Sequence, residues 1–244
     1  MFLLAILAFE FGMRKGAEKA GRTGPREALS GGELIDLLYA QDLDQRDFPF
    51  PAVVSASTGR TVVPARPADA GTEAITAAID AAANEVLVMF NGPDSPLRDL
   101  RRINEASRFF EDALRVLLDG REGLTCGIPT TAGGGEQRAG YPDLRIEHEA
   151  SGTVAYLDPK LFEATSVDSG LRTFYYTPKA ESSKVTADAH HFLLGFAHDG
   201  RDGAWTFTGW KLVDLARLQV RLKAEFQAAN RDLYRAGAVL RGSR

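Results

Sequence analysis

Two apolar-rich segments with the two-residue period of β-strands constrain this fold more than any other feature. Residues 144–150 read LRIEHEA, residues 153–162 read TVAYLDPKLF, and the turn-forming pair Ser151-Gly152 lies between them. Strand-like runs joined by so short a turn pair as an antiparallel hairpin. The segment therefore predicts two neighbouring strands of a β-sheet.

Helix signals dominate the chain before this hairpin. The apolar run over 1–11, MFLLAILAFEF, predicts a first buried helix that ends near Ala20. Ser30 and Glu33 form a capping-box pattern that begins an amphipathic helix. Residues 47–70 contain four prolines and two Val-Val pairs, which predict irregular chain with one or two strands.

A further helix and a second run of strands complete the pattern. Ser95 as N-cap and Pro96 in the first turn predict a helix over about 96–119. The later segments are, in order, a short helix, two strands and a final helix, over about 181–190, 191–198, 204–213 and 214–235. This order predicts an α/β fold with a central mixed β-sheet flanked by helices. Residues 1–95 are expected to form a mainly helical appendage to a core over 96–244.

Composition narrows the classes of function. The net charge of -4 gives no overall attraction to nucleic acid, although a local basic patch would suffice for binding. Cys126 is the single cysteine, which excludes an internal disulfide and a zinc-thiolate cluster. The run over 1–11 lacks a basic start and a cleavage site, and it is too short to span a bilayer. A cytoplasmic protein without membrane contact is expected.

Three charged residues of the hairpin carry the chemistry. Asp158 and Lys160 lie two positions apart and share one strand face, whereas Leu157, Pro159 and Leu161 point towards the core. Asp143 begins the neighbouring strand, so its carboxylate is expected to meet Asp158 at one end of the sheet. Two carboxylates are suitable ligands for Mg²⁺, and an ammonium can stabilise charge that develops on a phosphate.

Tyr141-Pro142-Asp143 followed by Asp158-Pro159-Lys160 resembles the PD-(D/E)xK nuclease superfamily, and within it the type II restriction endonucleases. The resemblance covers about residues 96–236. It implies a Mg²⁺-dependent endonuclease of double-stranded DNA, in which Asp143 and Asp158 bind the metal and Lys160 assists the attacking water. Proline in the middle of the D-x-K triplet departs from the usual pattern and requires a strand edge or a bulge.

The resemblance also implies a glutamate on the preceding helix that completes the site. Glu105 and Glu111 compete for this role, and neither lies on the apolar stripe; we favour Glu105. Arg172 and Lys184, in a segment rich in aromatic residues, are candidate phosphate contacts. The glycine-rich segment over 127–140, GIPTTAGGGEQRAG, lacks the Gly-Lys-Ser/Thr ending of a phosphate-binding loop and predicts a flexible loop.

Three other interpretations remain open. A repair or recombination nuclease of the same fold would use the same residues on structured DNA. A non-catalytic module that binds DNA or protein would keep the fold without the chemistry, and Asp158 with Lys160 would then be an ordinary ion pair on a strand face. A homodimer is a further candidate, since cleavage of a palindromic duplex usually takes two active sites related by a two-fold axis.

Overall fold

The computed structural model describes residues 29–241 apart from positions 99, 172, 202, 204, 224, 226, 236 and 238. The predicted first helix over 1–20 lies outside the described residues. The chain divides into two compact units, Met1–Leu43 and Asp44–Arg244. In the first unit, helix α1 covers Gly31–Ala40, and the predicted capping box is present, because Ser30 and Glu33 each accept a backbone N–H of the other.

The second unit contains the remaining elements. Its helices are α2 (Phe50–Thr58), α3 (Ala70–Asn91), α4 (Ile103–Asp119) and α5 (Asn230–Leu233). Its strands are β1 (Asp47–Pro49), β2 (Leu124–Gly127), β3 (Leu144–His148), β4 (Thr153–Glu163), β5 (His190–His198), β6 (Phe207–Asp214) and β7 (Gln219–Arg221). Among the described residues, no helix is both long and apolar enough to cross a membrane.

The central sheet has five strands in the order β2-β3-β4-β5-β6. The β4–β5 pair is parallel and the other neighbours are antiparallel, so the sheet is mixed. The predicted hairpin is present as β3 and β4, with Gly152 at a φ of +66° in the turn between them. β1 and β7 form a separate two-stranded antiparallel sheet.

Helices cover both faces of the sheet, which confirms the predicted fold class. Because side chains alternate along a strand, Leu157 of β4 joins the core beneath α3 and α4, and its neighbour Tyr156 faces the opposite way. Tyr156 packs in a second apolar cluster with Phe50 and Val54 of α2. Helix α3 shares the first core with α4, so residues 70–91 are an integral part of the sheet-covering layer.

Two predicted helices differ from the structure, and a third helix was not predicted. The helix predicted over 96–119 begins at Ile103, since Leu97 is first buried in the core within a turn. The short helix predicted over 181–190 is wrong, because this segment forms turns and irregular chain before β5. Helix α2 was not predicted, although proline is well tolerated in the first turn of a helix.

The final helix predicted over 214–235 is also wrong. A single 3₁₀ turn, Leu215–Arg217, follows β6, and the chain then forms β7 against β1. The Asp214 carboxylate ends β6 by accepting the backbone N–H groups of Ala65 and Ala216. Leu222 and Leu233, which belonged to the predicted apolar stripe, are about half exposed, at 48% and 53%. Tertiary pairing therefore overrides the helical spacing of these residues.

Candidate active site

The register of the β3–β4 hairpin brings two carboxylates and an ammonium together. Pairing ends at Leu144 opposite Leu157, so Asp143, the next residue outwards, lies beside Asp158. The Lys160 Nζ is 2.5 Å from Asp158 Oδ2 and 3.6 Å from Asp143 Oδ2. The predicted meeting of these three residues at one end of the sheet is present.

Pro159 lies at the strand edge that a proline in this position requires. It is two residues beyond the last pair between β3 and β4, where β4 keeps its partner β5 on the other side. Its carbonyl is 3.2 Å from the Lys160 Nζ, which donates to it. The missing N–H of proline therefore costs no hydrogen bond to β3, and the backbone itself helps to hold the lysine.

Burial and mutual repulsion shape the charges of the site. The Asp158 side chain is only 3% exposed, and burial raises its pKa to about 7, with Lys160 acting against the rise and Asp143 adding to it. Burial alone would lower the pKa of Lys160, but the carboxylates of Asp158 and Asp143 outweigh it and the net direction is upward. The ammonium is therefore held in its charged form beside a carboxyl that resists ionisation.

The donor set fits a hard divalent cation. Asp158 Oδ2 is a buried oxygen that faces the Lys160 ammonium at 2.5 Å. Among the described residues, no three His, Cys, Asp or Glu side chains form a ready-made metal cage. Mg²⁺ needs no such cage, because it is commonly bound by one or two carboxylates while water and substrate phosphate complete its coordination.

Glu111 lies closer to this cluster than Glu105 does. Glu111 on α4 is half-buried and lines a small cleft together with Asp143. Burial raises the pKa of Glu111, and the charge of Asp143 adds to the rise while Lys160 opposes it. Glu105 is exposed and lies six positions before Glu111, about 9 Å away along the helix axis and about 120° around it. The structure thus brings Glu111 to the cluster and leaves Glu105 at the surface.

A tyrosine–histidine contact directly before the hairpin was not predicted from the sequence. Tyr141 Oη lies 2.7 Å from His191 Nδ1, and Phe50 packs edge-on against both rings. Burial lowers the pKa of His191 to about 3, so the imidazole is neutral. Because Tyr141 is two residues before Asp143, this contact fixes the chain that enters the site. The position of Tyr141 beside the Pro-Asp pair was the available signal.

The two candidate phosphate contacts have different outcomes. Arg172 lies outside the described residues. Lys184 is buried, with 1% of its surface exposed, and its Nζ donates to the Arg138 carbonyl at 3.2 Å. A buried ammonium does not offer a donor to DNA at the surface, so the structure gives no support to a direct phosphate contact by Lys184.

Two comparisons relate the chain to known proteins. The profile of the type II restriction enzyme MjaV family matches residues 43–237, which include the whole of the cluster. A protein of Methanocaldococcus jannaschii named type II restriction enzyme MjaV is 33% identical over 148 residues. The match covers 57% of this chain and 63% of that protein, less than two thirds of its length. No solved structure is detectably similar to the chain.

Proposed function

Because the chain belongs to the type II restriction enzyme MjaV family, we propose that it is a Mg²⁺-dependent endonuclease that cuts double-stranded DNA at a specific sequence. The observation that carries the proposal is the convergence of Asp143, Asp158 and Lys160 at the open end of the β3–β4 hairpin. The name of the M. jannaschii relative favours a restriction endonuclease over a repair nuclease.

We assign the metal to the carboxylates of Asp143 and Asp158. Glu111 is the third acid of the proposed site in place of Glu105, since it lines the same cleft as Asp143. When bound, Mg²⁺ would supply charge neutralisation at the phosphate and a more acidic water. The raised pKa of Asp158 means that, near neutral pH, this carboxyl gives up its proton readily when a cation arrives.

Lys160 is the proposed electrostatic catalyst. Its side chain is 32% exposed, so it reaches solvent at the point where a phosphodiester would approach. The Pro159 carbonyl and the Asp158 carboxylate restrain the ammonium in advance, which lowers the reorganisation needed when charge develops on the phosphate. The same ammonium can orient the attacking water by hydrogen bonding.

A homodimer is part of the proposal, because cutting both strands of a symmetric sequence takes two sites related by a two-fold axis. The measurement is sedimentation of the protein with and without duplex DNA. A monomer that still cuts both strands in one binding event would contradict this part alone.

Cleavage of unmethylated plasmid DNA by the purified protein tests the activity. Wild type, Asp158→Asn and Lys160→Met are compared with Mg²⁺ and with EDTA, and Lys179→Met serves as a matched exposed lysine control. We expect discrete fragments from wild type and the control, only with metal, and no fragments from the two site variants. Cutting confined to branched DNA would favour a repair nuclease. Metal-independent DNA binding without any cutting would favour a binding module, and equal cutting by all four proteins would refute the site.

A further inference from the structure

Residues 131–140, the later part of the glycine-rich segment, form a loop that is tied to the segment carrying Lys184. The Lys184 Nζ donates to the Arg138 carbonyl at 3.2 Å near the end of the loop. At its beginning, the Ala132 N–H donates to the Ser183 carbonyl at 2.8 Å. Two neighbouring residues of one segment thus hold both ends of the loop.

The loop itself is exposed and polar. Residues 132–140 are exposed, and their polar side chains are those of Glu136, Gln137 and Arg138. The Arg138 guanidinium pairs with Asp112 of α4 at 3.1 Å and lines the cleft that Glu111 and Asp143 also line. The loop therefore contributes Arg138 to the wall of this cleft, and the rest of the loop lies at the surface.

Chain geometry keeps this loop within a short distance of Asp143. Arg138 is five positions before Asp143, and an extended chain spans at most about 3.4 Å for each position, or about 17 Å in total. Duplex DNA rises about 3.4 Å for each base pair, so the loop lies within about five base pairs of the bond at the site. The loop is therefore close enough to Asp143 to reach a duplex seated at the site.

Lys184 can hold the loop from the protein interior because its side chain is enclosed. Lys184 is among the largest fully enclosed side chains of the protein, and burial lowers its pKa. The acids Asp143, Asp158 and Glu111 favour its charged form. Its ammonium therefore donates a hydrogen bond to the loop carbonyl and is attracted by the acidic cluster. It is too deeply buried to contact a phosphate at the surface.

We propose that the loop over 131–140 contacts the DNA beside the cut bond, and that Lys184 is the positioning residue that holds this loop in place. The inference rests on the proposed function. It differs from a direct phosphate contact by Lys184 in one measurable respect. A lysine that neutralises a phosphate lowers the salt slope of DNA binding by about one when it is removed, whereas a buried anchor leaves the slope unchanged.

The test measures DNA binding by Lys184→Met in Ca²⁺, which replaces Mg²⁺ so that binding is separated from cleavage, over about 50–200 mM salt. Methionine keeps the volume and removes the ammonium, so the fold should survive. We expect the Kd for duplex DNA to rise about tenfold, the size of one lost contact, with an unchanged salt slope. Hydrogen exchange of the peptide over 131–140 should accelerate.

Gly134→Val supplies a second perturbation from outside the core. Gly134 has a φ of +80° and open space around the position of a Cβ, so valine strains the loop without a clash. It should weaken DNA binding in the same direction as Lys184→Met. Lys179→Met, at an exposed lysine of the same segment, is the control and should leave loop exchange at the wild-type rate.

The outcomes separate this inference from the proposed function. A wild type that cuts and binds DNA, with Lys184→Met and Gly134→Val binding as tightly as wild type, would overturn the role of the loop alone. A fall of about one in the salt slope of DNA binding by Lys184→Met would mean that Lys184 contacts a phosphate directly and does not act as an anchor of the loop. A wild type that neither binds nor cuts duplex DNA would overturn both proposals.

Discussion

Replacing Asp158 by asparagine should stabilise the metal-free protein at alkaline pH while it abolishes cleavage. Asparagine keeps the shape of a side chain that is 3% exposed and removes a charge that burial disfavours. The pKa of Asp158 rises to about 7 even with the attraction of Lys160 included. Its ionised form is therefore a net cost to the fold when no metal is bound.

The magnitude follows from the linkage between pKa and stability. The carboxyl moves from an ordinary pKa of 3.8 to about 7, and each pKa unit is worth about 1.4 kcal/mol, so ionisation costs about 4 kcal/mol more in the folded chain. Because the folded state binds the proton more tightly, this stabilisation is complete below pH 3.8 and is lost as the pH rises through 7.

Asparagine has no such dependence on pH. The advantage of Asp158→Asn in the free energy of unfolding should grow from about zero near pH 4 to about 2–4 kcal/mol at pH 8, the lower figure allowing for the lost ion pair with Lys160. Urea unfolding in EDTA at pH 5 and pH 8 measures it. Asp168→Asn, at an exposed aspartate, is the control and should show no change of this kind.

Mg²⁺ should make wild type more stable than Asp158→Asn. A ligand that binds only the folded state stabilises it, so Mg²⁺ should raise the stability of wild type and leave Asp158→Asn unaffected. An Asp158→Asn protein that is less stable than wild type at pH 8 in EDTA would refute the argument. A difference of equal size at pH 5 and pH 8 would refute it as well, because the effect would then not come from ionisation.

Three further changes test the site and the packing of the sheet that carries it. Glu111→Gln should weaken Mg²⁺ binding, measured by calorimetry, by about tenfold or more, whereas the matched change Glu105→Gln should leave it unaltered. Equal effects of the two would remove Glu111 from the site. Gly71→Ala should destabilise the fold by about 1–3 kcal/mol in urea unfolding, despite the better helix propensity of alanine, because a Cβ there would lie 2.1 Å from Thr153 Oγ1. A more stable variant would contradict that packing. Tyr141→Phe should lower the free energy of unfolding by about 1–3 kcal/mol, because it leaves the buried His191 without its hydrogen-bond partner. Unchanged stability would contradict that hydrogen bond.

The hairpin and its chemistry were predictable because they depend on local information. Alternation along residues 153–162 fixes which side chains share a face, and the turn at Ser151-Gly152 fixes the register. Together these bring Asp143 opposite Asp158 without any knowledge of the rest of the chain. The departure at Pro159 could also be interpreted correctly, since proline in a strand requires an edge.

The features that could not be predicted depend on contacts between distant segments. The apolar spacing over 214–235 is compatible with a helix, but Val220 pairs with Phe48 of β1, 172 positions earlier in the sequence. The choice between Glu105 and Glu111 depends on how α4 is rotated against the sheet, which spacing alone does not determine. The burial of Lys184 likewise follows from the loop that covers it.

The site residues Asp143, Asp158 and Lys160 all come from one continuous stretch, residues 143–160. Under the proposed function, Asp143, Asp158 and Lys160 are inherited together as a short cassette within the gene and Glu111 is supplied by α4, whereas the surfaces that contact bases must be contributed by other segments. Substitutions in those segments can change which sequence is cut without altering the cassette. Lineages that carry this fold would then diverge in target while the cutting chemistry stays the same.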